Sequence, residues 1–245
     1  MAATRLHMQF RLRDQMQRHG GGVDVFGITS SVELPLLLRP LKGLLGAYLP
    51  EPTPGILITT ERPLSIQRFT AAHELGHFKL GHKPSLDDES ILRRMALPAE
   101  PTPSRHDLQE VEADAFAVEF LMPRWLIEWH CNRQGWKARD LHAPLIAYQL
   151  ALRLGTSFEA ITWTLQRHNL IDLSVGRTLR QNRPRELKVE LLRDYKPTNY
   201  RGDVWLLTER DGDTKIDGSS NDHFVLRLPE HNNGGYLWNI DQLKA

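Results

Sequence analysis

The sequence predicts an α+β fold, and three stretches carry that prediction. Residues 65–80 place Ile66, Phe69, Ala72, Leu75 and Leu80 near helical spacing, between Pro63 and Gly81. Directly upstream, residues 43–49 and 55–60 read as strands joined by the turn-rich Pro50-Glu51-Pro52-Thr53-Pro54. Downstream, residues 107–122 are rich in Ala, Glu and Leu and stop at Pro123, which describes a second strong helix. A small sheet packed on the first helix, followed by further helices, accommodates all three.

The first helix contains His73-Glu74-Leu75-Gly76-His77. Helical positions four apart are offset by only about 40° around the axis, so His73 and His77 project from one face. Two imidazoles stacked in this way can share a tetrahedral metal with a third protein ligand and a water. Glu74 is placed to take a proton from that water. Histidines at the edge of an apolar stripe need partners, and a metal supplies one.

The second helix must bring the third ligand, and it offers Glu110, Glu112 and Asp114. Glu110 has His106, Asp107, Ala113 and Asp114 as helical neighbours, a polar surround suited to a solvated carboxylate. Glu112 sits among Leu108, Gln109, Ala115 and Phe116, on a face that packing should bury. A carboxylate there is costly unless it binds a cation, which makes Glu112 the expected ligand. Asp114 is left to a supporting position or a local pair.

A chain of 245 residues with a formal net charge of +1 gives no whole-protein signal for nucleic acid or an anionic membrane. No run reaches the length of a transmembrane helix, and the N-terminus lacks the apolar core of a signal peptide. The single cysteine, Cys131, excludes an internal disulfide, so a cytoplasmic protein is expected.

Along the rest of the chain, residues 4–18 suggest a helix stopped by Gly20-Gly21-Gly22. Residues 83–105 read as a long surface loop with a short helix at 89–96. Residues 143–171 read as helix, turn, helix around Gly155-Thr156-Ser157. Direct DNA binding is the rival reading there, but the second helix lacks a basic cluster, and packing is favoured. Residues 173–190 carry Arg177, Arg180, Arg183, Arg185 and Lys188 and read as a basic linker. Strand patterns at 204–207, 223–228 and 236–240 define a small β-rich unit over 191–245. An edge strand beside the metal helix could hold an extended peptide by main-chain pairing.

The combination of Arg68-Phe69-Thr70-Ala71-Ala72-His73-Glu74-Leu75-Gly76-His77 with Glu112-Ala113-Asp114-Ala115-Phe116-Ala117 and Phe120-Leu121-Met122-Pro123 resembles the ImmA/IrrE metallopeptidases over roughly residues 20–172. That resemblance implies a zincin-like domain over 1–172, with His73, His77 and Glu112 as zinc ligands and Glu74 as general base. It implies a cytoplasmic regulator that cuts a helix-turn-helix repressor encoded nearby and so releases stress, mobile-element or defence genes. Manganese or iron could occupy the same ligands. His82, Tyr148 and His142 are candidates for an oxyanion donor by residue type alone; His82, five positions after His77, falls off the shared helical face. A catalytically idle, metal-stabilised adaptor or DNA-associated regulator is the alternative, and the presence of Glu74 discriminates against it. Residues 226–238 are similar, over a short span, to part of the chagasin-type inhibitor fold, although His231-Asn232-Asn233-Gly234 replaces that family's loop. A β appendage is expected there rather than a working inhibitor.

Overall fold

The computed structural model describes residues 2–83, 85–87 and 105–229. The N-terminal stretch expected as one helix forms two, α1 (Ala2–Gln9) and α2 (Leu12–His19), because Arg11 between them adopts a left-handed conformation. Helix α3 (Val25–Ser31) follows, capped by the Asp24 carboxylate accepting from the Gly27 amide. Strands β1 (Leu36–Arg39), β2 (Gly46–Leu49) and β3 (Gly55–Thr59) then form a sheet. The expected hairpin is present, with β2 antiparallel to β3 and β1 parallel to β3 on its other side.

Helix α4 (Leu64–Leu80) packs on this sheet. Gly81 ends it at φ 69°, a left-handed conformation that glycine adopts without a side-chain clash. The chain turns back at once, and β4 (Ser85–Asp87) pairs antiparallel with β2, giving the order β1-β3-β2-β4. The short helix expected at 89–96 lies outside the described residues.

Helix α5 (Arg105–Leu121) lies against α4. Gly76 sets their approach: a Cβ there would lie 3.0 Å from Phe116 Cδ1 and 3.3 Å from the Ala113 Cα. Helices α6 (Arg124–Gln134), α7 (Pro144–Leu154) and α8 (Phe158–Arg167) complete the helical layer. The turn between α7 and α8 is the expected one, with left-handed Gly155 and a Ser157 cap. Thr162 and Thr164 of α8 are buried and bonded to backbone carbonyls of their own helix, as a packed helix requires.

Residues 173–190 are not a linker. They form α9 (Leu173–Arg180) and most of α10 (Pro184–Leu192), which bury Leu179, Leu187, Leu191 and Leu192 in the main core. The exposed Arg177, Arg183 and Arg185 masked this apolar stripe in a stretch read only for charge.

Nor does the β unit stand apart. Strands β5 (Val204–Leu207) and β6 (His223–Leu226) pair in parallel, and β5 is bonded by side chains of α7. Gln149 Nε2 donates to the Val204 carbonyl at 2.8 Å, and its Oε1 accepts from the Leu206 amide at 2.8 Å. Tyr148 Oη accepts from the Val204 amide at 3.0 Å and donates to Asp203. Arg153 forms a buried ion pair with Asp211 at 2.8 Å. The strand expected at 236–240, and most of the inhibitor-like stretch, lie outside the described residues.

His130 of α6 is buried behind this junction and donates through Nε2 to the Gly21 carbonyl at 3.0 Å. Burial pushes its imidazole pKa down to about 4, outweighing the hydrogen bond that favours the charged form. The folded protein therefore holds His130 neutral at pH values where an unfolded chain would protonate it. Stability from this group is full above pH 6.5 and falls as pH drops from 6.5 towards 4. Lowering pH from 8 to 5 should cost about 2 kcal/mol through His130 alone. Urea midpoints at both pH values should show this difference in the wild type and a smaller one in His130→Gln; equal pH responses would refute the assignment.

Candidate metal centre

Helix α4 delivers His73, Glu74 and His77 into the sheet–helix interior, where all three are fully buried. From α5 comes Glu110, not Glu112. Glu110 is 1% exposed, and its carboxylate lies 3.4 Å from His73 Nε2 and 3.5 Å from His77 Nε2. Among the described residues, His73, His77 and Glu110 form a group whose ligand atoms lie within 4.8 Å of one another. The side chain of Glu112 is 64% exposed on the flank of α5, where it accepts from His82.

The correction has a packing cause. Leu108 is about half exposed and Ala115 is exposed, so of the apolar neighbours that seemed to bury Glu112 only Phe116 marks the inner face. The inner stripe runs through Glu110, Ala113, Ala117 and Phe120, positions spaced by three and four. Its signal in the sequence was size rather than hydrophobicity: Ala113 opposite Gly76 lets the two helices close, and Glu110 lies one turn away along that seam.

The hydrogen bonds decide which nitrogen each imidazole presents. His73 Nδ1 lies 2.8 Å from Asp114 Oδ1, so Nδ1 carries the proton given to that carboxylate and Nε2 keeps its lone pair. His77 Nε2 lies 2.9 Å from His73 Nε2. Two inward nitrogens beside a carboxylate form a donor set that suits a divalent metal with tetrahedral N/O preference. Asp114 is thus the carboxylate partner of the His73 ring.

Glu74 lies between the histidines in sequence, next to β2. A Cβ at Gly46 would come within 2.9 Å of Glu74 Oε1 and 2.5 Å of Thr70 Cγ2, so only glycine leaves the Glu74 carboxylate its present room. Gly46 pairs with Asp87, which makes β4 the outer strand beside Glu74.

The other candidates lie elsewhere. Tyr148 is committed to Asp203 and Val204, and burial, with the Asp203 charge adding to it, pushes its phenol pKa far up. His142 ends a 3-10 turn (Ala138–His142) outside the cluster. Burial, more than the nearby Glu128 charge, raises the Cys131 thiol to about 11.

Comparison with known proteins gives the family. The profile of the IrrE N-terminal-like peptidase domain matches residues 33–166. No curated protein matches the chain. Among the described residues no helix is long and apolar enough to cross a membrane. The matched segment spans more than half of the chain and contains both helices that carry the candidate ligands; the chain belongs to the ImmA/IrrE family of metallopeptidases.

Proposed function

We propose that the protein is a zinc-dependent endopeptidase that hydrolyses a peptide bond in a regulatory protein, a helix-turn-helix repressor encoded nearby, and so derepresses stress, mobile-element or defence genes. One observation carries the chemistry: His73, His77 and Glu110 converge while Glu74, on the same helix as the two histidines, is fully buried. The identity of the substrate rests on family resemblance.

His73 and His77 would hold the metal through Nε2 and Glu110 through its carboxylate. Bound there, a divalent ion supplies Lewis-acid activation of water and of the scissile carbonyl, and two imidazoles with one carboxylate suit zinc. Manganese or iron would fit the same donors with lower preference. Glu74 accepts the proton of the attacking water at its carboxylate and passes it to the leaving amine. Burial excludes bulk water from that transfer, and glycine at 46 leaves room for the carboxylate where a Cβ would stand 2.9 Å from Glu74 Oε1. Asp114 fixes the His73 ring so that Nε2 faces inward.

Glu74→Gln tests this assignment. Cleavage of the neighbouring repressor, followed on gels and by mass spectrometry of the products, should fall by about 10²- to 10⁴-fold while zinc content stays at the wild-type level. Undiminished cleavage would remove Glu74 from the reaction.

A further inference from the structure

His82 has a place in this site that neither its distance in sequence from His77 nor the helix geometry foretold. Had the helix continued, an offset of five residues would have turned it off the shared face. Gly81 changes that. Its left-handed conformation reverses the chain, the His82 amide donates to the His77 carbonyl at 3.0 Å, and the imidazole comes back beside His77. The His82 side chain is 6% exposed, and the two rings stand edge to face with centroids 5.0 Å apart.

The contacts form a directed chain. His82 Nδ1 lies 3.0 Å from His77 Nδ1, and His82 Nε2 lies 3.1 Å from Glu112 Oε2. A carboxylate only accepts, so the proton on His82 sits on Nε2. His82 Nδ1 is then an acceptor, and the proton between the rings belongs to His77 Nδ1. That leaves the lone pair of His77 on Nε2, facing His73 and Glu110.

We propose that His82, oriented by Glu112, is a positioning residue that fixes His77 in its Nδ1–H tautomer and so presents Nε2 to the metal. His73 receives the same treatment directly from Asp114, so each ligand imidazole has its own orienting partner. Glu112, although not a ligand, acts on the metal through His82. The proposal rests on the reading of His73, His77 and Glu110 as a metal site.

Two measurements test it. Zinc affinity by competition with a chromophoric chelator should fall about 10- to 100-fold in His82→Leu, the range seen for lost orienting partners. His82→Asn places an oxygen where Nδ1 stood, keeps an acceptor for His77, and should restore most of that loss. Equal affinity in wild type and His82→Leu, or equal loss in the Asn and Leu variants, would overturn the proposal. The second measurement needs no metal. Imidazole nitrogen shifts in the metal-free protein should report Nδ1–H His77 in wild type and in His82→Asn, and a tautomer mixture in His82→Leu. A wild type that takes up no zinc would refute the metal reading itself. The nitrogen shifts would then decide the relay alone, an Nε2–H His77 in wild type overturning it.

Discussion

Glu110→Ala is expected to abolish stoichiometric zinc binding at micromolar zinc, whereas Glu112→Ala should retain one zinc per chain with weakened affinity. Glu110 is buried with both histidines inside 3.5 Å, and no other carboxylate among the described residues joins that group. Removing it leaves two neutral imidazoles, and the loss should exceed the about 100-fold that substitutions of outer partners reach. Glu112 touches the centre only through His82 and is mostly open to solvent, so its loss should stay within about tenfold. Metal analysis after gel filtration, with chelator competition for affinities, separates the two. Zinc retained by Glu110→Ala and lost from Glu112→Ala would reverse the ligand assignment.

The two helices illustrate how far the sequence reaches. His73, Glu74 and His77 were legible because one helix holds them all, and helical spacing is a local property. The third candidate ligand lies on a different helix, and choosing it requires knowing which face of α5 meets α4. Apolar neighbours pointed to Glu112, yet of these Leu108 is left half exposed and Ala115 exposed. The closest seam is instead made of small residues, Gly76 and Ala113, and small residues barely register on a hydrophobicity scale. The place of His82 beside His77 was not foreseen for the opposite reason: helical geometry was extended through Gly81, the residue that ends it. The α9–α10 stretch was read by its charges, of which Arg177, Arg183 and Arg185 sit outside, while Leu179, Leu187, Leu191 and Leu192 sit inside. Elements with a strong local signature, such as the β2–β3 hairpin and the α7–α8 pair, appear where the sequence puts them.

Asp211→Ala should lower stability by about 3–5 kcal/mol, which for a protein of this size is roughly 10 °C in Tm. The reason is not the strength of the ion pair itself. Arg153 and Asp211 are 6% and 8% exposed, so removing the carboxylate leaves a buried guanidinium without its counter-charge. Asp211 Oδ1 also accepts from Gln134, and its Oδ2 accepts from the Thr208 amide, which adds two stranded donors. Replacing Arg153 by Met in the same chain should recover part of the loss, because the double variant no longer buries an unpaired charge. Urea or thermal unfolding of the four proteins gives the cycle. A single variant within 1 kcal/mol of wild type would mean that the junction between α7 and the β unit opens to water.

Gln149 offers a different kind of consequence. Its amide donates to the carbonyl of Val204 and accepts from the amide of Leu206, so one side chain imitates the rung of a neighbouring strand. What it reads is the path of the main chain, and every amino acid except proline carries the same groups. Residues 204 and 206 are thus free of any demand from these bonds on their own identity. In evolutionary terms the constraint is lopsided: β5 can drift among strand-forming residues that fit its neighbours, while the helix that grips it must keep a carboxamide at one position.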